Sequence, residues 1–332
     1  MKKHWALLLA TLLFFGCSEP TRIIPSERYV LSDRLLLGGQ LSKDGSWALL
    51  LTEKADIYLL DIRSQSQILM LDAAMLPTSV RAVLMNKELG IILVAGSNTL
   101  QIWDIKHASL REQFEVSGFD ELARVSALGL SDSGSLVAVG MTDGSLSLFN
   151  VDDKKAHRTV LHTSNIAYLN FINDDKTIVS ASHDGYLRVW EALTGNELYS
   201  ISFPSRVSTV ALNHDNTRLF ASDSLKTQLI IGAHDGDVLT QFDYLSRFKW
   251  FRHALFIKGA PYLLTSSAKS ELSLWHMQLG KEVNSWNVEA HSMGTTVLDM
   301  VELDNSDVLT LNSEGIVEIW DINQVQFNAT QQ

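Results

Sequence analysis

The stretch VSALGLSDSGSLVAVGMTDGSLSLFN (residues 125–150) is followed by IAYLNFINDDKTIVSASHDGYLRVWE (residues 166–191), and the two share one plan. In each, three runs that alternate apolar and polar residues are separated by turns rich in Asp, Asn, Gly and Ser, the residue types that tight turns between strands favour. The third run ends in an aromatic residue and a polar one, Phe149-Asn150 and Trp190-Glu191. Each stretch therefore predicts three strands joined as two hairpins.

The position of Trp190 recurs along the chain. Reading back from Trp320, the equivalent positions follow at spacings of 45, 44, 41, 41, 46 and 43 residues: Trp275, Ile231, Trp190, Phe149, Trp103 and Leu60. A period of about 40 to 45 residues, with room for four short strands, is typical of a β-propeller blade. The sequence predicts an all-β fold, a seven-bladed β-propeller of four-stranded antiparallel blades.

The ends of the third strands resemble the WD-repeat family, through Trp103-Asp104, Trp190-Glu191, Trp275-His276 and Trp320-Asp321. That family has a structural polar tetrad in each blade. In the fourth repeat the resemblance implies a tetrad of His162, Ser180 or Ser182, Asp184 and Trp190. The seventh repeat keeps His291, Ser313 and Trp320 but has Glu314 in its turn, and the first and fifth repeats lack the tryptophan. The resemblance spans Leu35 to Asp321.

A ring of blades has to close on itself. In the WD-repeat family an N-terminal strand completes the last blade, and Glu27–Leu31 is predicted to do so here beside Ile316–Asp321. The alternative is a C-terminal strand at Val325–Asn328. Either strand would remove the open sheet edges that invite aggregation.

The first residues differ in character from the repeats. Lys2 and Lys3 precede an apolar run of about 11 residues, which is too short to span a bilayer core that needs about 20. The segment Leu13–Cys17 resembles the bacterial lipoprotein signal, which implies cleavage before Cys17 and acylation of that residue, including by palmitate. The alternative is an ordinary signal peptide in which Cys17 falls near the cleavage site.

These features divide the chain into a signal peptide at residues 1–16, a lipidated tether at 17–26 and a propeller at 27–332. Ser18 resembles the residue that follows the cysteine in lipoproteins sorted to the outer membrane. We therefore expect a lipoprotein of the bacterial cell envelope, attached to the outer membrane and facing the periplasm. The absence of any second cysteine suits an oxidising compartment.

Charge and motifs argue against several classes of function. The net charge is −11 and no stripe of lysine and arginine follows the repeats, which disfavours nucleic acid as a partner. No nucleophile elbow or phosphate-binding loop is present. The three His-Asp pairs, at 183–184, 214–215 and 234–235, map to turns on opposite faces of the disc. We predict no catalytic residue, no metal and no cofactor, and hence not an enzyme.

The loops at one end of the blades are the predicted binding surface. Aligning the repeats on their first strands places five residues at equivalent positions on this rim: Ser79, Arg124, Asn165, Arg206 and Trp250. The segment Asp243–His253 is rich in aromatic and basic residues, the types enriched at interface hot spots, and adds Arg252 as a candidate. An alternative role for its phenylalanines, Phe248 and Phe251, is packing between blades. 

The predicted function is a monomeric, non-catalytic scaffold that binds an unidentified protein partner through Arg124, Asn165, Arg206, Trp250 and Arg252. Two alternatives remain open. The stretches Thr194–Leu198 and Gly280–Trp286 resemble a phrase common in quinoprotein-like propeller lipoproteins of outer-membrane assembly. The second alternative is a propeller enzyme that acts on cell-envelope substrates.

Overall fold

A computed structural model describes residues 23–242 and 250–329, with side chains as far as Val325. These residues form seven four-stranded antiparallel sheets. The first strands of neighbouring blades contact one another all the way round the ring, so they surround a central channel. The predicted seven-bladed β-propeller is confirmed. Within the described part, no helix has the length and apolar character needed to cross a bilayer.

The chain enters through β1 (Glu27–Val30) and then builds the blades in order. Blades 1 to 3 comprise β2 (Leu36–Leu41), β3 (Trp47–Thr52), β4 (Ile57–Asp61) and β5 (Gln67–Leu71); β6 (Ala82–Asn86), β7 (Ile91–Ala95), β8 (Thr99–Asp104) and β9 (Ser109–Glu115); and β10 (Val125–Leu130), β11 (Leu136–Met141), β12 (Ser145–Asn150) and β13 (Lys155–Val160). A short 3-10 turn at Ala73–Met75 lies between the first two.

Blades 4 to 6 repeat the pattern. They comprise β14 (Ile166–Ile172), β15 (Thr177–Ser182), β16 (Tyr186–Glu191) and β17 (Glu197–Ser202); β18 (Val207–Leu212), β19 (Arg218–Asp223), β20 (Gln228–Gly232) and β21 (Val238–Gln241); and β22 (Phe251–Phe256), β23 (Tyr262–Ser267), β24 (Glu271–His276) and β25 (Lys281–Asn287). Blade 7 adds β26 (Val297–Glu302), β27 (Val308–Asn312) and β28 (Ile316–Trp320), and one helix, α1 (Ile322–Ala329), follows it.

The N-terminal strand closes the ring. Strand β1 pairs antiparallel with β28 as the fourth strand of blade 7, with Tyr29 opposite Val317. This closure was predicted and is confirmed. The alternative C-terminal strand is wrong, because Val325–Asn328 lies within α1. The Asp321 carboxylate accepts hydrogen bonds from the backbone N–H groups of Asn323 and Gln324 over 3.0 and 3.3 Å, which caps and favours the helix.

The core consists of seven apolar seams, each between two adjacent blades. The repeated large residue of each third strand always lies in the seam with the preceding blade. These residues are Leu60, Trp103, Phe149, Trp190, Ile231, Trp275 and Trp320, all buried. The sequence period therefore reflects one packing requirement met seven times.

The disc has two faces. We call the upper face the one that carries the fourth-to-first strand loops and the second-to-third strand turns, and the lower face the one that carries the other two turns of each blade. His183 and Asp184 lie in an upper turn, whereas the other two His-Asp pairs lie in lower turns. Over residues 23–242 and 250–329, no three His, Cys, Asp or Glu side chains group so that they could hold a metal ion.

Candidate protein-binding face

Carboxylates in the upper second-to-third strand turns hold the neighbouring loops in place. Asp143 accepts hydrogen bonds from the backbone N–H groups of Phe119 and Asp120 over 2.8 and 3.0 Å. Glu314 does the same for His291 and Ser292, each over 2.9 Å. Because each carboxylate satisfies two backbone donors of a loop that carries no regular structure, these upper loops are fixed to the blades.

Blade 4 extends this contact into a buried chain of hydrogen bonds. Asp184 Oδ2 accepts from the Thr163 N–H over 3.0 Å and lies 3.0 Å from His162 Nδ1. His162 Nε2 lies 2.8 Å from Ser180 Oγ, which also accepts from Trp190 Nε1 over 3.3 Å. The structure thus brings together all four residues of the predicted tetrad, and the serine in this series of hydrogen bonds is Ser180 rather than Ser182.

The protonation of this chain follows from burial. Burial lowers the pKa of His162, although the charge of Asp184 acts to raise it. A neutral imidazole donates from Nδ1 to Asp184 and accepts at Nε2 from the Ser180 hydroxyl, so every group in the chain has a partner. Burial acts to raise the pKa of Asp184, but its hydrogen bonds and His162 hold that pKa below its usual value. The chain stabilises the blade as a fixed polar network.

The other tryptophans of the third strands also find acceptors. Trp275 Nε1 donates to Thr265 Oγ1 over 2.9 Å, and Trp320 Nε1 donates to Thr310 Oγ1 over 3.0 Å. Ser313, which the resemblance placed in the tetrad of blade 7, does not hold the place of Ser180. Thr310 occupies the corresponding position on the second strand of that blade. In blade 3 the position that corresponds to Ser180 is held by the apolar Val139. The third-strand residue in the same seam is the apolar Phe149.

The predicted rim residues occupy one equivalent position. Arg124, Asn165, Arg206 and Trp250 each immediately precede a first strand. The backbone carbonyls of the first three accept hydrogen bonds from the second-to-third strand turns of their own blades, over 2.9 to 3.0 Å. Arg206 and Trp250 are exposed. Arg124 is half-buried, because its guanidinium donates to the carbonyls of Glu121 and Ala123 over 3.2 and 2.7 Å.

Of the aromatic and basic segment Asp243–His253, the last four residues belong to the described part of the chain. Residues 243–249, with Phe248, lie outside the described part of the chain, as does Cys17. Arg252 is exposed on β22. Phe251 is buried between blades 5 and 6, with its ring centroid 5.6 Å from that of Trp275, so it packs in the seam.

The exposed large apolar side chains are distributed unevenly. Seven lie in upper loops or turns: Leu35, Met75, Phe119, Leu122, Leu225, Trp250 and Met293. Among the described residues, only Leu193 and Leu279 are their counterparts in lower turns. Sequence reasoning missed this asymmetry, and it also missed Arg81, which is exposed two residues after Ser79. The sequence alignment placed Ser79 at the rim position of blade 2, which is wrong, because β6 begins at Ala82 and Arg81 immediately precedes it.

Comparison with known proteins supports the repeat. The family model described as WD domain, G-beta repeat matches residues 154–191, which correspond to β13 and the first three strands of blade 4. Over 277 residues, or 71% of this chain, the sequence is 26% identical to apoptotic protease-activating factor 1 of Danio rerio. Over 134 residues, or 40% of the chain, it is 28% identical to autophagy-related protein 16 of Arabidopsis thaliana.

A third relative is the U3 small nucleolar RNA-associated protein 21 homolog of Schizosaccharomyces pombe, 27% identical over 128 residues, or 38% of the chain. The aligned segments make up 21%, 26% and 14% of the factor 1, protein 16 and protein 21 chains, respectively. The likeness is therefore to a part of each relative. It supports the repeat that the fold displays.

Proposed function

We propose that this protein is a non-catalytic scaffold that binds a protein partner with its upper face. The observation that carries the proposal is the unequal distribution of exposed large apolar side chains, seven in upper loops and turns against two in lower turns among the described residues. Contiguous exposed apolar groups on a soluble surface mark interaction sites. Aromatic and arginine side chains, such as Trp250 and Arg206, are enriched at interface hot spots.

The fixed loops support the same role. Because Asp143, Asp184 and Glu314 each bind backbone N–H groups of an upper loop, the loops lose little conformational freedom when a partner arrives. These carboxylates also have pKa values below their usual range. Burial acts against this shift and the hydrogen bonds that they accept outweigh it. They serve as ionised acceptors and not as proton donors.

The second part of the proposal is a lipid anchor at Cys17, based on the resemblance of Leu13–Cys17 to the lipoprotein signal. Strand β1 runs towards the upper face, since the loop that leaves it leads to β2. Its first residue, Glu27, therefore lies at the lower end of the blade. A chain tethered ahead of Glu27 would turn the upper face away from the membrane and towards a partner.

A site-specific photocrosslinker in cells tests the binding face. We would place it at Leu122 on the upper face and, as a matched control, at Leu193 on the lower face, which are 77% and 78% exposed. The expected result is a crosslinked partner from position 122 and none from position 193. Equal yields from both positions, or a partner captured only at 193, would contradict the proposal.

Metabolic labelling with palmitate tests the anchor. We expect the wild-type chain to incorporate label and to sediment with membranes, and Cys17→Ser to do neither. Ser18→Ala keeps the cysteine and is the control. Label in the Cys17→Ser variant would show that the anchor lies elsewhere.

A further inference from the structure

The first strands share an irregularity where they begin. In six blades one extra residue interrupts the pairing with the second strand after the first pair. These extra residues are Leu37, Ser126, Ala167, Ser208, Arg252 and Leu298. In blade 2, Arg81 immediately precedes β6. Its backbone N–H donates a hydrogen bond to the Ala95 carbonyl over 2.7 Å.

A bulge leaves its extra residue outside the ladder and re-aims the side chain. Since the first strands surround the channel, these seven positions and the residue that immediately precedes each first strand form a ring at its upper end, which we call the upper mouth. Leu37, Arg81, Ala167 and Arg252 are exposed there.

The charge of the upper mouth is opposite to that of the protein. Arg81, Arg206 and Arg252 are exposed, and within the described ranges their guanidinium groups form no ion pair or hydrogen bond. They belong to blades 2, 5 and 6, so Arg81 lies across the channel from the other two. The exposed acids of the upper loops and turns are Asp33, Glu53, Asp72, Asp120 and Glu121, and none of them lies at the start of a first strand or immediately before one. Three unpaired cations at one opening attract a negatively charged group, in a chain whose net charge is −11.

Apolar side chains are also exposed at the upper mouth, beside the arginines. Leu37 is 65% exposed at the upper mouth, and Trp250, next to the Phe251 that starts β22, is 41% exposed. A phosphate backbone would use the arginines but would leave these apolar groups in water. The protein's net negative charge would also repel a long polyanion. A peptide that carries both carboxylates and apolar side chains would satisfy both kinds of group.

We propose that the upper mouth binds an acidic, apolar peptide segment of the partner, with carboxylates paired to Arg81, Arg206 and Arg252 and apolar side chains against Leu37 and Trp250. This inference rests on the proposed function and specifies the chemistry of the partner. Paired carboxylates and guanidinium groups form charge-assisted hydrogen bonds, whose geometry gives selectivity.

Fluorescence anisotropy with the full-length chain tests the inference. The probes are a labelled peptide that alternates Glu with Leu and Trp, the same peptide with Lys for Glu, and a single-stranded oligonucleotide. We expect the acidic peptide alone to bind, more weakly as salt rises. The triple variant Arg81→Ala, Arg206→Ala, Arg252→Ala should lose at least 10-fold in affinity, and Leu37→Asp should weaken binding as well.

Two controls keep the result interpretable. Arg63→Ala, Arg111→Ala, Arg218→Ala removes the same charge from exposed arginines away from the upper mouth, and should change affinity less than twofold. The triple variant Arg81→Lys, Arg206→Lys, Arg252→Lys should retain most of the binding. Tighter binding of the basic peptide, equal binding of the oligonucleotide, or equal loss in the control triple would overturn the inference. A partner crosslinked from Leu122 would still stand in those cases, so the two proposals fail separately.

Discussion

Glu318 accepts a hydrogen bond at Oε2 from the backbone N–H of Glu289 over 3.0 Å, which brings a second carboxylate beside a buried one. Glu318 lies on β28 and is only 2% exposed, whereas Glu289 lies in the loop that joins blades 6 and 7 and pairs with Arg28 and His291. Burial raises the pKa of Glu318 to about 7, and the charge of Glu289 adds to the rise.

This relationship predicts a pH dependence of stability. A carboxyl whose pKa is higher in the folded state stabilises fully below its unfolded value, here 4.5, and that stabilisation is lost as the pH rises through about 7. The loss is at most about 3.5 kcal/mol, from about 1.4 kcal/mol for each pKa unit between 4.5 and about 7. Glu318→Gln keeps an oxygen for the Glu289 N–H and cannot ionise. It should therefore melt higher than the wild-type protein at pH 8 and equally at pH 4.

Differential scanning calorimetry at both pH values measures this difference. Glu88→Gln, in an exposed lower turn, is the control and should melt like the wild type at both. A Glu318→Gln variant that melts lower at pH 8 would contradict the prediction.

The second prediction concerns Thr310, whose hydroxyl accepts the Trp320 indole N–H. Thr310→Val preserves shape and leaves that buried donor without an acceptor, which should reduce the free energy of unfolding by about 1 to 3 kcal/mol. Trp320→Phe removes the donor, so a double-mutant cycle measured by urea unfolding should show that the two changes are coupled. The exposed Thr163→Val is the matched control, with an expected change below about 0.5 kcal/mol. Additive effects of the two core changes would rule out this hydrogen bond as a source of stability.

The third prediction concerns the close approach of Gly144 to His162. Gly144 has φ +85°, and a Cβ atom there would lie 2.1 Å from the His162 carbonyl oxygen. Gly90 also has a positive φ of +68°, but nothing lies within 4 Å of its Cβ position. Gly90→Ala should therefore cost about 1 kcal/mol for backbone conformation alone. Gly144→Ala should cost clearly more, because the upper loop has to shift. Equal melting temperatures for the two variants would show that the loop yields without cost.

The fourth prediction concerns ring closure. In a Cys17→Ser background, cysteines at Tyr29 and Val317 lie directly opposite each other across β1 and β28. Mild oxidation should join them, change the mobility on a denaturing gel and raise the melting temperature, because the bond closes a loop of nearly the whole chain. The control pair replaces Val317 and Val325, and should stay reduced. A crosslink in the control alone would indicate a C-terminal closing strand instead.

Local sequence was sufficient for the strands of the repeats. The stretch at residues 166–191 forms the three expected strands, β14 to β16, because alternation and turn residues act over a few positions. The count of blades followed from the positions of Leu60 through Trp320, since every blade fills the same seam. The N-terminal closing strand followed from family resemblance. The helix at Ile322–Ala329 was missed, although Asp321 carries the signal for its cap.

The sequence by itself determined the repeat, the number of blades and the residues of the buried tetrad, because these depend on patterns that recur within about 45 residues. Only the tertiary structure decided which hydroxyl meets Trp320, why Glu318 is buried, and that Arg81 and Arg252 share one opening of the channel. Thr310 and Trp320 are only 10 residues apart and meet through the register of β27 against β28, whereas Arg81 and Arg252 are distant in the chain and share an opening only when seven blades meet in a closed ring. The physical reason is that burial and charge at a site come from neighbouring blades, which a local pattern does not record.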